Sequence, residues 1–285
     1  MTSLKIGVCG LGTVGSGVIK LFNDHQGLIQ QRCNADLQLV HIGARRDNAN
    51  CDTSRYRVSR DIFDVVRDPE VDIVVELIGG TTVARDLVTQ AIQAGKHVVT
   101  ANKALIAEFG NELIALAEQT QVALRFEAAV AGGIPVIKVL RESLAANVVS
   151  GVAGIINGTG NFILTEMGNA GRSFDDVLAE AQALGYAEAD PTFDIDGTDA
   201  AHKLVILASI AFGIPLDANA PIMEGIDTVT PEDLNFAKEL GFCVKHLGIA
   251  RRCGDAIDLR VHPTLIPSSR QIARVDGVLN AVMIE

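Results

Sequence analysis

The sequence predicts an α/β protein of two domains, a parallel-sheet domain at residues 1–131 followed by an α+β domain at residues 132–285. Three observations carry that expectation. A short apolar strand at residues 4–9 runs into Gly10-Leu11-Gly12-Thr13-Val14-Gly15 and then into a helical spacing of Val14, Val18, Ile19, Leu21 and Phe22. Residues 72–78, DIVVELI, form a near-continuous apolar run of the kind covered on both faces of a parallel sheet, and helical stretches separate it from its neighbours. Towards the C-terminus, residues 242–250, 257–262 and 278–284 read instead as strands of a largely antiparallel sheet.

The glycine run defines the first domain. Gly10 permits a tight turn, Gly12 lets the backbone approach a pyrophosphate, and Gly15 lets strand and helix pack closely at the helix N-terminus. In a strand–turn–helix context, GxGxxG predicts a Rossmann-type dinucleotide-binding domain with Gly10, Leu11, Gly12, Thr13, Val14 and Gly15 at the cofactor. A second strand is expected at residues 37–43. Its end, where an NAD site places a ribose-binding acid, carries Ala44-Arg45-Arg46. An arginine there pairs with a 2′-phosphate, which favours NADP, with NAD accepted less well; a solvated basic turn is the other reading. Asp36, at the opposite end of that strand, cannot replace the missing acid.

The run at 72–78 ends at Gly79-Gly80, which open a ligand crevice. A helix over 83–94 stops at Gly95, a strand over 96–100 follows, and Lys103 stands at that strand's carboxyl end, the edge where open parallel sheets bind ligands. Another helix is expected at 105–118 and another strand at 122–126. Beyond them Glu127 enters the glycine-rich segment Ala131-Gly132-Gly133. A lone carboxylate among apolar neighbours, expected to be buried and lying beside irregular backbone carbonyls, suits either a hard monovalent cation or an ordinary hydrogen-bonded glutamate.

In the second domain a helix is expected at 134–144 and a strand at 147–156, ending at the polar turn Asn157-Gly158-Thr159-Gly160-Asn161, whose amides can meet a carboxylate or nicotinamide. Ser173 caps an amphipathic helix that Gly185 ends. The stretch 185–208, GYAEADPTFDIDGTDAAHKLVILA, then organises the rest. Gly197-Thr198 reads as a turn and cap before a buried helix expected to start near Asp199, in which Asp199 and Lys203, four apart, share one face, with Glu188 and Asp190 arriving from the loop before it. Charges among Ala200, Ala201, Leu204 and Val205 are costly unless a ligand or partner meets them. Thr230-Pro231-Glu232-Asp233 reads as a capped helix start with proline at its first position.

Composition excludes several classes. With 285 residues, 48% of them hydrophobic, the chain is long enough to bury two cores. Its 24 Lys and Arg against 35 Asp and Glu, a net charge of -11, disfavour nucleic acid and anionic membrane as partners. The five cysteines show neither CxxC spacing nor nearby histidine pairs, so reduced thiols and a cytoplasmic location are expected. The first residues, MTSLKIGVCGLG, lack the apolar region of a signal peptide.

The motifs GLGTVG, ANKAL, FEAAVAGGIPVIK, GIINGTGNFILTEM and GYAEADPTFDIDGTDAAHKL closely resemble those of homoserine dehydrogenases, in order from residue 7 to about 208. The resemblance implies reversible NAD(P)-linked conversion of L-homoserine to L-aspartate 4-semialdehyde, on the route to threonine, methionine and isoleucine, in a homodimer formed largely through the second domain. It implies that Lys203 is the acid/base lysine, Lys103 a second active-site lysine touching substrate and cofactor, and Glu188 and Asp199 the homoserine-binding carboxylates. Gly185 matches a residue beside the nicotinamide. Glu127, Val130, Gly132 and Ile134 match the positions that hold a sodium ion. Members of the family continue into a PTASAV-like segment whose helix packs back on the cofactor domain, and many add a regulatory ACT domain, so threonine feedback is not expected within residues 1–285. Two other classes are set against this reading. A semialdehyde dehydrogenase of similar architecture needs an activated cysteine nucleophile, and a non-catalytic NADP-sensing protein need not keep Lys103, Glu188, Asp199 and Lys203 together.

Overall fold

A computed structural model describes residues 2–285. The chain divides into two compact units, Met1–Ala129 and Val130–Glu285, so the division falls two residues before the expected one.

In the first unit, β1 (Thr2–Cys9), α1 (Thr13–Cys33), β2 (Ala35–Gly43), β3 (Arg57–Ser59), α2 (Phe63–Arg67), β4 (Ile73–Glu76), α3 (Thr82–Gln93), β5 (His97–Thr100), α4 (Lys103–Gln119) and β6 (Leu124–Arg125) follow one another. Every strand pair is parallel, in the order β3-β2-β1-β4-β5-β6. That is the doubly wound order of a dinucleotide-binding domain, and it reverses between β1 and β4. Its apolar positions pack as the runs require: Val8, Ile19, Phe22, Leu39 and Ile42 form one cluster. Ile19 and Ile42, 1% and 0% exposed, each contribute roughly 1.5–3 kcal/mol by leaving water.

Two expected strands are shorter than the apolar runs. β4 stops at Glu76; the Leu77 N–H makes a last bond to the Cys9 carbonyl at 2.8 Å, and the chain then turns through Gly79 and Gly80 at φ 71° and 69°. Lys96 lies outside β5; its buried ammonium donates to the carbonyls of Asp68 at 2.7 Å and Val71 at 2.5 Å. A side chain that satisfies loop carbonyls in this way looks, in sequence, like the polar start of a strand.

The second unit contains α5 (Val136–Lys138), β7 (Gly151–Ile155), α6 (Gly158–Ala170), α7 (Phe174–Ala183), α8 (Thr192–Ile195), α9 (Thr198–Phe212), β8 (Ile222–Met223), α10 (Pro231–Glu239), β9 (Phe242–Cys253), β10 (Ala256–Pro267) and β11 (Ala281–Ile284). Its sheet, β11-β7-β9-β10-β8, is antiparallel except for the β10–β8 pair. The expected helix at 134–144 is broken: Pro135 stands at its N-cap, three α-helical residues follow, and Val139–Ser143 widen into a π-helix. The expected strand at 147–156 starts only at Gly151, since Asn147 closes a turn on the Leu144 carbonyl. Similarly, the strand expected at 278–284 begins at Ala281, because Asn161 Nδ2 takes the carbonyls of Val275, Gly277 and Leu279 at 3.0, 2.9 and 3.2 Å.

Helix starts follow their chemistry. Ser173 Oγ accepts the Asp176 N–H at 3.2 Å, and Thr230 and Asp233 form a reciprocal capping box with Pro231 at the first turn. α9 starts one residue earlier than expected and without a side-chain cap. Gly197 provides its turn at φ 91°, where a Cβ would lie 3.0 Å from Val261 Cγ1 and 3.3 Å from His246 Cε1. Phe162, Ile163, Met167, Val177, Ile226 and Leu234 pack α6, α7 and α10 together. Among the described residues no helix is long and apolar enough to cross a membrane.

Candidate active site

In the first unit the carboxyl ends of β1, β2 and β4 surround a cavity of about 910 Å³ lined by Gly10, Leu11, Gly12, Ala44, Arg45, Arg46, Ile78 and Gly79, among others. The three glycines play different parts. A Cβ on Gly10, which sits at φ 110°, would lie 2.5 Å from the Leu77 carbonyl oxygen, and one on Gly15 would strike the Gly10 carbonyl. Gly12 meets no protein atom within 4 Å of the same position. Packing therefore requires Gly10 and Gly15, whereas Gly12 leaves open space at the mouth of α1, where helix amides and the helix dipole favour an anion. Gly12→Ala is expected to keep the wild-type melting temperature and weaken dinucleotide binding about tenfold or more, while Gly15→Ala lowers the melting temperature. Parallel thermal melts and nucleotide titrations check the contrast; equal stability losses would contradict it.

Arg45 and Arg46 are exposed and, among the described residues, make no hydrogen bond or ion pair. Arg60, which sequence reasoning missed, also lines the cavity but is held by Asp47 through bonds of 2.8 and 2.9 Å. No spacing rule in the sequence links those two. Thr13 and Val14 form the exposed first turn of α1 and Gly15 is buried beneath it. Lys103 is the first residue of α4, directly after its N-cap Asn102, and is not part of the cavity lining. Glu127 opens a short 3₁₀ turn and is half-buried rather than buried as its apolar neighbours imply.

In the second unit α9 brings Asp199 and Lys203 together as their spacing predicts. Lys203 Nζ donates to Asp199 Oδ2 at 2.5 Å and to the Ile156 carbonyl at 2.7 Å, with the two side chains 16% and 7% exposed. Two of the ammonium's three hydrogens are thereby used, which leaves one donor direction for a ligand oxygen. Asn157 completes the cluster. Its Oδ1 caps α6 by accepting the Gly160 N–H at 2.7 Å, and its Nδ2 donates to Asp194 Oδ1 at 2.7 Å and Asp199 Oδ2 at 2.8 Å. Sequence reading marked Asn157 only for its turn and gave Asp194 no part. The asparagine before a helix three residues ahead of a glycine amide was the available signal for the cap, but nothing in the spacing showed the clamp.

Asp190 lies in the loop before α8 and is engaged locally: its carboxylate accepts the Thr192 hydroxyl at 2.6 Å and the Thr192 N–H at 3.2 Å, bonds that hold its pKa below the usual carboxylate range. Glu188 is exposed; its backbone carbonyl accepts Gln182 Nε2 at 3.1 Å, and its carboxylate bonds to none of the described residues. Gly185 is exposed after the C-cap of α7.

Three of the five thiols are poorly suited to act as nucleophiles. Burial, then the charge of Glu76, pushes Cys9 up to about 12, and burial also raises Cys51 and Cys243. Cys33 and Cys253 are exposed at the ends of α1 and β9. A thiol-dependent semialdehyde dehydrogenase finds no support here.

A doubly wound domain with an open glycine turn places the first unit in the class of dinucleotide-binding domains, and the second unit adds a lysine–carboxylate cluster. Comparison with known families makes this particular. Residues 10–127 match the homoserine dehydrogenase NAD-binding domain and residues 135–285 match homoserine dehydrogenase itself; the chain belongs to the homoserine dehydrogenase family. It is 60% identical over 284 residues to the homoserine dehydrogenase of Pseudomonas aeruginosa, covering 100% of this chain and 65% of that one. The enzyme of Neisseria gonorrhoeae is 50% identical, with 100% and 66% covered. The chain thus spans about two thirds of the length of these relatives. A crystal structure of the Thiobacillus denitrificans homoserine dehydrogenase superposes with a TM-score of 0.97 at 55% identity, covering 100% of this chain and 66% of that one. A hyperthermophilic archaeal homoserine dehydrogenase in complex with NADPH gives 0.80 at 26% identity, with 99% and 88% covered.

Proposed function

We propose that the chain acts as a homoserine dehydrogenase, interconverting L-homoserine and L-aspartate 4-semialdehyde in amino-acid biosynthesis, with NADP preferred and NAD accepted less well. The observation that carries this reading is the Asp199–Lys203 pair, fixed by Asn157 and the Ile156 carbonyl, in a chain of this family. A bound nicotinamide supplies the hydride acceptor. Lys203, as a neutral amine whose two hydrogens go to Asp199 and the Ile156 carbonyl, takes the proton from the homoserine hydroxyl on its lone pair, and the ammonium so formed returns it to the aldehyde oxygen in reverse. Asp199 and Glu188 hold the substrate ammonium; the exposed, unbonded carboxylate of Glu188 suits that work. By the family resemblance, Lys103 would orient the substrate and assist at the cofactor, and Gly185 would neighbour the nicotinamide.

The open space at Gly12 and the cavity beside it fit a dinucleotide, which Gly10, Leu11, Gly12, Thr13, Val14 and Gly15 would hold by its pyrophosphate. Arg45 and Arg46 would meet a 2′-phosphate; the NADPH complex of the archaeal relative supports a nicotinamide dinucleotide as cofactor. A charge-assisted bond to phosphate contributes roughly 1.5–3 kcal/mol, so Arg45→Ala is expected to weaken NADP about tenfold or more and leave NAD nearly unchanged. Titrating both nucleotides into both proteins tests this; equal losses would refute the preference.

Sodium is the proposed resident ion, held by Glu127 and the main-chain carbonyls of Val130, Gly132 and Ile134. The all-oxygen donor set, with left-handed Ala131 at φ 47° and Gly133 at φ 88° bending the chain, fits a hard cation of low charge; among the described residues no cluster of three His, Cys, Asp or Glu offers a site for a metal ion. Replacing sodium by tetramethylammonium should lower the melting temperature without changing the pH profile of turnover, and an unchanged melt would exclude the ion. The active species is proposed to be a cytoplasmic homodimer; a sedimentation mass of one chain would contradict the dimer.

A further inference from the structure

Glu76 and Thr100 are the last residues of β4 and β5, paired in register and both wholly buried. Glu76 Oε1 accepts the Ile78 N–H at 2.9 Å, and Oε2 accepts the Thr100 hydroxyl at 2.5 Å. The Thr100 oxygen in turn accepts the Asn102 N–H at 2.9 Å. Asn102 reaches back with Nδ2 to the Gly80 carbonyl at 2.6 Å, while its Oδ1 caps α4 by accepting the Leu105 N–H at 3.1 Å. The circuit closes on itself. Segment 77–80 is held at the Ile78 amide by Glu76, whose other carboxylate oxygen is bonded to Thr100, and at the Gly80 carbonyl by Asn102, and Lys103 follows immediately.

Nothing in the packing of β4 on β5 calls for this chemistry. An apolar pair would fill the same space, and among the described residues no basic side chain bonds the Glu76 carboxylate to offset its removal from water. What the polar circuit adds is orientation. Ile78 and Gly79 line the large cavity, and the Leu77 N–H on Cys9 ties the same segment to the strand that feeds the glycine turn. Both loops leave the carboxyl ends of strands on one side of the strand-order reversal, where a dinucleotide lies across such a sheet.

We propose that Glu76, Thr100 and Asn102 are positioning residues for dinucleotide binding, the Thr100 hydroxyl being the link that holds the 77–80 wall of the cavity and the start of α4 in one arrangement. The proposal rests on the cofactor reading above. The Thr100 hydroxyl, bonded to Glu76 and to the Asn102 amide, acts through the loops it joins.

The test measures NADPH affinity by its fluorescence on the full chain, well below the melting temperature, for the wild type, Thr100→Val, Thr100→Ser and Asn102→Ser. Valine keeps the shape of threonine and removes the hydroxyl, so Thr100→Val should weaken NADPH about tenfold or more, whereas Thr100→Ser should stay within about threefold of wild type. Asn102→Ser keeps a helix cap but loses the bond to Gly80, and should weaken binding similarly even where Thr100→Val fails to fold. Thr120→Val, which deletes a hydroxyl bonded to Leu116 at 2.8 Å, serves as the control: it should lower the melting temperature without changing affinity. Wild-type affinity in Thr100→Val and Asn102→Ser, or equal losses in Thr100→Val and Thr100→Ser, would overturn the proposal. A wild-type chain that binds no NADPH would overturn the cofactor reading itself, and the proposal with it.

Discussion

Lys203→Ala is expected to lower the rate of homoserine oxidation by about 10²–10⁴-fold while leaving NADP affinity within about twofold, because general acid/base groups contribute on that scale. Lys203 reaches its place through helix geometry: four residues after Asp199, it falls on the same face of α9, and the Ile156 carbonyl fixes the ammonium from the end of β7. Alanine removes the proton carrier but leaves Asp199 bonded to Asn157, so the carboxylate remains oriented. Lys203→Arg should restore little, since a guanidinium keeps its proton throughout the useful pH range. Single-turnover measurement separates the chemical step from binding. Near-normal turnover in Lys203→Ala together with its loss in Lys103→Ala would reverse the roles of the two lysines.

Asp199→Ala should be the most damaging change to the substrate site. Asp199 Oδ2 accepts from both Lys203 and Asn157, so its loss leaves the largely buried ammonium without its counter-charge and one hydrogen of a buried amide without an acceptor. Breaking a buried pair from one side typically costs about 3–5 kcal/mol of stability, and losing the charge-assisted bond to the substrate ammonium should raise the homoserine KM roughly 10- to 150-fold. Glu188→Ala makes the contrast. With no internal partner for its carboxylate among the described residues, it should raise the same KM by a similar factor and leave the melting temperature unchanged. Melts and KM values for the two variants, taken together, check this. An Asp199→Ala protein that melts like wild type would show that the pair does not hold the site.

How much of this was legible in the chain depended on whether a feature is local. The glycine turn, the Ser173 and Thr230 caps and the Asp199–Lys203 pair all lie within a few residues of sequence, where helix periodicity and capping chemistry decide geometry, and each is present. The features that were missed join distant residues. Asn157 meets Asp194 and Asp199 37 and 42 positions away, and Glu76 meets Thr100 across 24. Lys96 and Asn161 shortened strands for the same reason, their side chains satisfying backbone carbonyls of segments far along the chain. His41 is a further example: fully buried between Asp68 and Ser59 at 2.8 Å from each, it reads in sequence only as a polar break in an apolar strand.

The central claim, that the lysine–carboxylate cluster of α9 oxidises homoserine with NADP, is tested most directly by mixing the purified chain with NADP and L-homoserine and following formation of NADPH. Reduction should depend on L-homoserine, be stronger with NADP than with NAD, and fall by about 10²–10⁴-fold in Lys203→Ala. A folded chain that binds NADP but forms no NADPH when homoserine is added, or forms it equally well without Lys203, would contradict it.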